Sequence, residues 1–130
     1  SIEALLGYLF SPLTLAMGVV PADAFSIAKI LGDRTILTEV FSYGRLSDLL
    51  AAGALKDPRS AIIASYALCG FAHVASLAIF VGGTGALAPT RIRDISRIGF
   101  RALLAATLAC LMTGAVAGTF YTGSSVLFGR

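Results

Sequence analysis

Ser60–Thr90 reads SAIIASYALCGFAHVASLAIFVGGTGALAPT, and it contains no Asp, Glu, Lys or Arg between its flanking residues Arg59 and Arg91. A helix that crosses a bilayer needs about 20 mostly apolar residues, because each residue advances about 1.5 Å across about 30 Å of hydrocarbon. This run exceeds that length. Two more charge-free runs, 4–22 and 102–129, lie on either side of it. The chain as a whole is 57% apolar and 13% charged, whereas a soluble domain carries about 25% charged residues. These features predict an all-α polytopic membrane protein. The competing reading is a soluble helical domain with a large apolar core, and solubility without detergent would support it.

The opening stretch is not a uniform span. Gly70, His73 and Ser76 lie three residues apart and would share one side of a helix. Gly70 also weakens a helix locally. The expectation is a broken membrane helix over 58–89, partly unwound at its centre and ended by Gly82-Gly83-Thr84-Gly85 and Pro89. Residues 94–122 read as the final, continuous membrane helix. Its small residues Ala105, Ala109, Gly114 and Gly118 permit close approach of neighbouring helices within the protein. Residues 1–20 read as a scaffold membrane helix with Ser11-Pro12 in its middle, closed by Gly18 and Pro21.

Residues 21–50 are too short and too polar to cross. Pro21 and Asp23 suit a helix N-terminus, and Ala24, Phe25, Ile27, Ala28, Ile30 and Leu31 supply an apolar face. Gly32-Asp33-Arg34-Thr35 interrupts that face, and Glu39 follows. Two half-helices meeting at a polar break predict a re-entrant hairpin whose tip is buried in protein or lines a cavity.

The net charge of +3 resides mainly in Arg91, Arg93, Arg97 and Arg101, offset by Asp94. Between apolar spans this cluster reads as a cytoplasmic loop and not as a nucleic-acid patch. The final helix then runs outward, the broken helix inward, and both ends of the hairpin face outside. Cys69 and Cys110 sit in apolar runs without CxxC spacing and read as small buried hydrophobes. The first 18 residues lack the basic start of a secretory signal, and the absence of an initial Met suggests a fragment.

Glu39 is the first candidate for function, since a carboxylate at membrane depth is costly to keep. Ionised, it only accepts hydrogen bonds and could receive those of two neighbouring hydroxyls. Its structural alternative is an ion pair with Arg34. His73, the only histidine, can donate or accept, and its structural alternative is helix packing. Ser76 could bond a solute or its own backbone. No nucleophile triad, zinc spacing, phosphate loop or paired catalytic carboxylate is defensible. No enzymatic activity, metal site or bound cofactor is therefore expected.

These residues resemble a known family. SYALCGFAHVAS (Ser65–Ser76) resembles the YALCGFANFSS signature of concentrative nucleoside transporters. FSPLTLAMGV (Phe10–Val19) resembles their FSPLAWLMGV, and GDRTILTEVFSY (Gly32–Tyr43) their GTKLVLNEFVAY. Gly82–Arg101 is similar to GGLGALAP followed by RRxDLARLGLRAL. The resemblance implies a cation-coupled nucleoside symporter, homotrimeric and multi-pass, in the inner membrane when bacterial. This chain would be its C-terminal third. Carried over by position, Glu39 binds ribose hydroxyls with Thr38 beside it, Phe71 makes an apolar contact, and Ser76 offers a ribose-side hydroxyl. His73 occupies the place of a ribose-contacting asparagine, so altered solute preference is a second possibility. The coupling cation, sodium or proton, would bind mainly outside this segment. A non-transporting membrane fragment is the alternative class, and a first hairpin with a GQTE-like tip upstream in the gene would argue against it.

Overall fold

The computed structural model describes residues 2–123, all in helices and their connections. Six α-helices follow in order: α1 (Ile2–Ala16), α2 (Pro21–Ile36), α3 (Glu39–Ala51), α4 (Pro58–Leu68), α5 (Val74–Leu87) and α6 (Ile92–Thr119). A short 3-10 turn, Pro89–Arg91, joins the last two.

Helix α1 passes through Pro12 without ending. The adjacent Thr14 is fully buried, with its hydroxyl 2.8 Å from the Ser11 carbonyl oxygen and 3.2 Å from that of Ala24. The second contact ties α1 to α2, and the two helices pack along most of their length.

The hairpin of α2 and α3 differs from expectation in the position of its break. Helix α2 runs unbroken through Gly32-Asp33-Arg34-Thr35, and the chain turns at Leu37 and Thr38. Ile27, Leu31 and Arg34 fall at i, i+4 and i+7, one face of a helix, and all three are fully buried. Asp33, on a different side, lies 3.5 Å from Arg45 Nη1 of α3. Arg34 Nη1 finds carbonyl acceptors at the end of α4 and Asp33 lies beside Arg45, so these polar residues are accommodated within an unbroken helix. At the true tip, the Thr38 hydroxyl accepts the Phe41 N–H at 3.4 Å and starts α3. With 16 and 13 residues, the halves extend only about 24 and 20 Å.

The base of the hairpin is held by Asp23. Its carboxylate accepts the N–H groups of Lys56 (2.8 Å) and Asp57 (3.0 Å), fastening the α3–α4 loop to the start of α2. Asp57 in turn caps α4 by accepting the Arg59 N–H at 2.8 Å, with Pro58 in the first helical position. Asp57→Ala should therefore lower the stability of the full-length protein by about 1 kcal/mol, read as a small drop in melting temperature.

The expected broken helix is present, with α4 and α5 separated by a non-helical segment between Leu68 and Val74. Two details are corrected. Gly70 and His73 lie in that segment, so they do not share a helical side with Ser76. The glycines at 82, 83 and 85 do not end α5, which continues to Leu87. None of them takes a positive φ, so none forms the left-handed stop that ends many helices. The 28 residues of α6 extend about 42 Å. Among the described residues, Pro89–Thr119 is the only helical segment long and apolar enough to cross a membrane alone, and its most apolar 18 residues have a mean hydropathy of 1.8.

The core joins Phe10, Met17 and Val19 to Ile27, Ile30 and Leu31, to Leu46, to Ile63, Ala67 and Leu68, and to Leu111. Helix α5 contributes no buried apolar side chain. Its Leu87, with Leu104, Leu108, Met112 and Val116 of α6, is exposed. Contiguous outward apolar faces of this kind suit lipid or further protein. The small-residue stripe on α6 is divided. Gly114 and Gly118 are buried against Ile63 of α4, whereas Ala105 and Ala109 are exposed. Cys69 is also exposed and Cys110 half-buried, contrary to expectation, because Cys69 falls where α4 has already ended. Residues 124–129, the end of the last apolar run, lie outside the described residues.

Candidate functional site

Two helix starts face one another. The start of α3 carries Thr38 and Glu39, and the start of α5 carries His73 and Ser76. All five residues expected from sequence, Thr38, Glu39, Phe71, His73 and Ser76, line one cavity of about 330 Å³, and Val40, Ile79 and Phe80 add apolar wall. A helix N-terminus carries roughly half a positive charge from its unpaired N–H groups. Two of them directed at one place favour an anion, and Glu39 is the anion there.

His73 is an unusual N-cap. Its backbone is extended, and its Nδ1 accepts the Ser76 N–H at 3.0 Å. Ser76 Oγ reciprocates by accepting the His73 N–H at 3.3 Å. The arrangement is a capping box in which imidazole replaces the usual hydroxyl. The Ser76 hydroxyl has one hydrogen, which serves the carbonyl of Phe71 (2.9 Å) or of His73 (2.7 Å). Ser76 is thus turned mainly to its own backbone.

The cap also selects the tautomer of His73. A nitrogen that accepts cannot carry the hydrogen, so the neutral ring is protonated at Nε2. That nitrogen lies 2.8 Å from Glu39 Oε2. The separation is that of a hydrogen bond, but the N–H does not point at the oxygen. Among the described residues Oε2 is buried and accepts no aligned hydrogen bond. The two side chains are thus in contact, and the Glu39 side chain remains 21% exposed. Asn caps helices well and Ala does not. His73→Asn should accordingly leave the melting temperature of the purified full-length protein nearly unchanged, while His73→Ala should cost about 1 kcal/mol.

The alternative pairing of Glu39 with Arg34 does not occur. The Arg34 side chain is fully buried and its Nη1 donates to the carbonyl oxygens of Ala67 (3.0 Å) and Gly70 (3.5 Å). Arg34 leaves the last turn of α2 on the side facing α4, whereas Glu39 follows the turn and faces α5. Gly70 packs closely on α6: a Cβ there would meet Cys110 Sγ, which would have to move aside. Phe71 is 67% exposed, its ring tilted against His73 with centroids 6.5 Å apart.

Sequence reasoning missed the clamp that the hairpin places on α4. Besides Arg34, Tyr43 donates its hydroxyl to the Ser65 carbonyl at 2.7 Å. The i, i+4, i+7 spacing of Ile27, Leu31 and Arg34 was a signal that Arg34 faces the core. Nothing local marked Tyr43. Among the described residues, no three His, Cys, Asp or Glu come together as a metal would require.

The family model for the C-terminus of Na+ dependent nucleoside transporters matches residues 1–118. Solute carrier family 28 member 3 of Mus musculus is 41% identical over 130 residues, covering 91% of this chain and 18% of that protein. Sodium/nucleoside cotransporter 1 of Rattus norvegicus is 35% identical over 138 residues, covering 97% of this chain and 21% of that protein. A solved structure of CNTnw in an inward-facing substrate-bound state superposes with a TM-score of 0.87 at 37% identity, over 97% of this chain and 31% of that one. The chain thus spans less than a third of these relatives. Motif order, helix order and the close structural match agree, and the chain belongs to the concentrative nucleoside transporter family of multi-pass membrane proteins, matching its C-terminal portion.

Proposed function

We propose that this chain forms the sugar-binding side of the solute site in a cation-coupled nucleoside symporter that works by alternating access. The observation that carries the reading is the convergence of Thr38, Glu39, Phe71, His73 and Ser76 on one cavity, with the Glu39 carboxylate between two helix starts. Ribose presents two adjacent hydroxyls. Each can donate to Glu39, which only accepts, and one can accept in turn from His73 Nε2–H. Phe71, Ile79 and Phe80 offer apolar surface to the ring faces of the solute.

In this reading α2 and α3 form a re-entrant hairpin, since neither is long enough to cross and their tip meets the break in the neighbouring helix. The remainder of the protein supplies the base contacts and the site for sodium or a proton. The arginines of Arg91–Arg101 face the cytoplasm, and the whole assembles as a homotrimer, in the inner membrane if the source is bacterial. No catalytic step is assigned to any residue.

The test is uptake by the full-length protein of uridine, adenosine and free bases, with and without sodium. Nucleoside uptake well above that of free bases supports a sugar-binding site. Loss of uptake in sodium-free buffer assigns sodium as the coupling cation, and dependence on an acidic exterior assigns protons. A second reading, an altered solute preference, draws on the contact between His73 and Glu39, since an imidazole is bulkier than the asparagine that the resemblance implies at this position. Uptake of a free base in preference to both nucleosides would favour it.

A further inference from the structure

We propose that Arg34 is a positioning residue that sets the geometry of the break between α4 and α5, and through it the placement of His73. The proposal rests on the reading of Glu39 and His73 as a solute site.

A helix that stops leaves its last four carbonyls without intrahelical partners. For α4 these belong to Ser65, Tyr66, Ala67 and Leu68. The hairpin supplies donors to two of them, Tyr43 to Ser65 and Arg34 to Ala67. Within the break, Cys69 N–H serves Tyr66, and Ala72 N–H serves Gly70, whose oxygen Arg34 also approaches. Were α4 and α5 one continuous helix, the N–H groups of residues 69–72 would take the four carbonyls instead. Arg34 therefore stabilises the broken form specifically.

Its charge acts in the same sense. Arg34 lies in the last turn of α2 and beside the end of α4, so two helix C-termini, each partly negative, meet on one cation. Across the hairpin tip, two helix N-termini meet on the anion Glu39. The cation fixes where α4 ends, and three residues beyond Gly70 the chain must be extended at His73 for the cap on α5 to form. Only Nη1 of Arg34 has partners among the described residues, while Nε and Nη2 are buried without any. A single ammonium group could make the same two contacts, so Lys should substitute.

The experiment compares Arg34→Met and Arg34→Lys with Glu39→Gln in the full-length transporter. It reads the KM for uridine, the amount of folded protein and the rate of alkylation of Cys110 by N-ethylmaleimide, followed by mass spectrometry. Arg34→Met should raise KM about 10- to 100-fold, the range for loss of a charge-assisted bond. It should also speed labelling of the half-buried Cys110, whose Sγ lies against Gly70. Arg34→Lys should stay close to wild type in both. If Arg34→Met does not accumulate, Arg34→Gln, which keeps an N–H but no charge, replaces it with the same expectations.

An unchanged KM with only less folded protein would make Arg34 merely structural and overturn the proposal. Faster labelling without a change in KM would overturn it too, as would Arg34→Lys behaving like Arg34→Met. Normal uptake by Glu39→Gln would instead refute the solute-site reading on which the proposal rests, whatever Arg34 does.

Discussion

Glu39→Gln in the full-length transporter should reduce nucleoside uptake by about 100-fold or more, the loss expected when two charge-assisted hydrogen bonds become weaker neutral ones or are broken. The substitution is nearly isosteric, but it replaces an acceptor-only group by one that also presents N–H donors. One of two ribose hydroxyls would then face a donor in place of an acceptor. The amide would also lose its attraction for the starts of α3 and α5, which at about 0.3–1 kcal/mol each is too small to unfold the protein. The signature is lost uptake with normal yield and a monodisperse elution profile. Initial-rate uptake at several uridine concentrations decides it, and an unaltered rate would remove Glu39 from the site.

The second large effect concerns packing. Gly114→Val should lower the stability of the full-length protein by about 3 kcal/mol, the upper part of the usual range for overpacking. A Cβ at this position would lie 2.7 Å from the Ile63 carbonyl oxygen and 3.0 Å from Ala67 Cβ. The backbone oxygen cannot swing aside as a side chain can, so α4 and α6 must separate. Gly83→Ala is the control, since nothing lies within 4 Å of a Cβ there. It should be neutral or slightly stabilising, because Ala favours a helix by roughly 0.8–1 kcal/mol over Gly. Thermal melting of the purified proteins measures both. Equal melting temperatures for Gly114→Val and wild type would mean that α4 and α6 do not pack as tightly as the geometry requires.

Much of this architecture was legible in the residues because hydrophobic length is a one-dimensional quantity. The continuous helix around Gly114 could be read directly, as could the interruption near Gly70, since both depend on a run of apolar residues and where it fails. The motifs about Glu39 and His73 likewise identified residues that share one cavity. What escaped was the meaning of individual polar groups. Gly32-Asp33-Arg34-Thr35 looks like a break when its residues have no known partners. With Ala67 and Gly70 as acceptors for Arg34, and Arg45 near Asp33, it is ordinary helix. The run Gly82-Gly83-Thr84-Gly85 misled for a related reason: glycine permits the left-handed turn that ends many helices, but these positions do not take it.

The charge-free run around His73 was enough to establish a membrane protein with a broken helix, because burial in hydrocarbon excludes charge over a fixed number of residues whatever the neighbours are. It could not show which way Glu39 faces. Glu39 meets His73 and not Arg34 because the turn at Leu37 and Thr38 directs the two sides of the hairpin to different halves of the broken helix. A partner chosen that way depends on distances between residues 34 positions apart in the chain, and those exist only once the helices have packed.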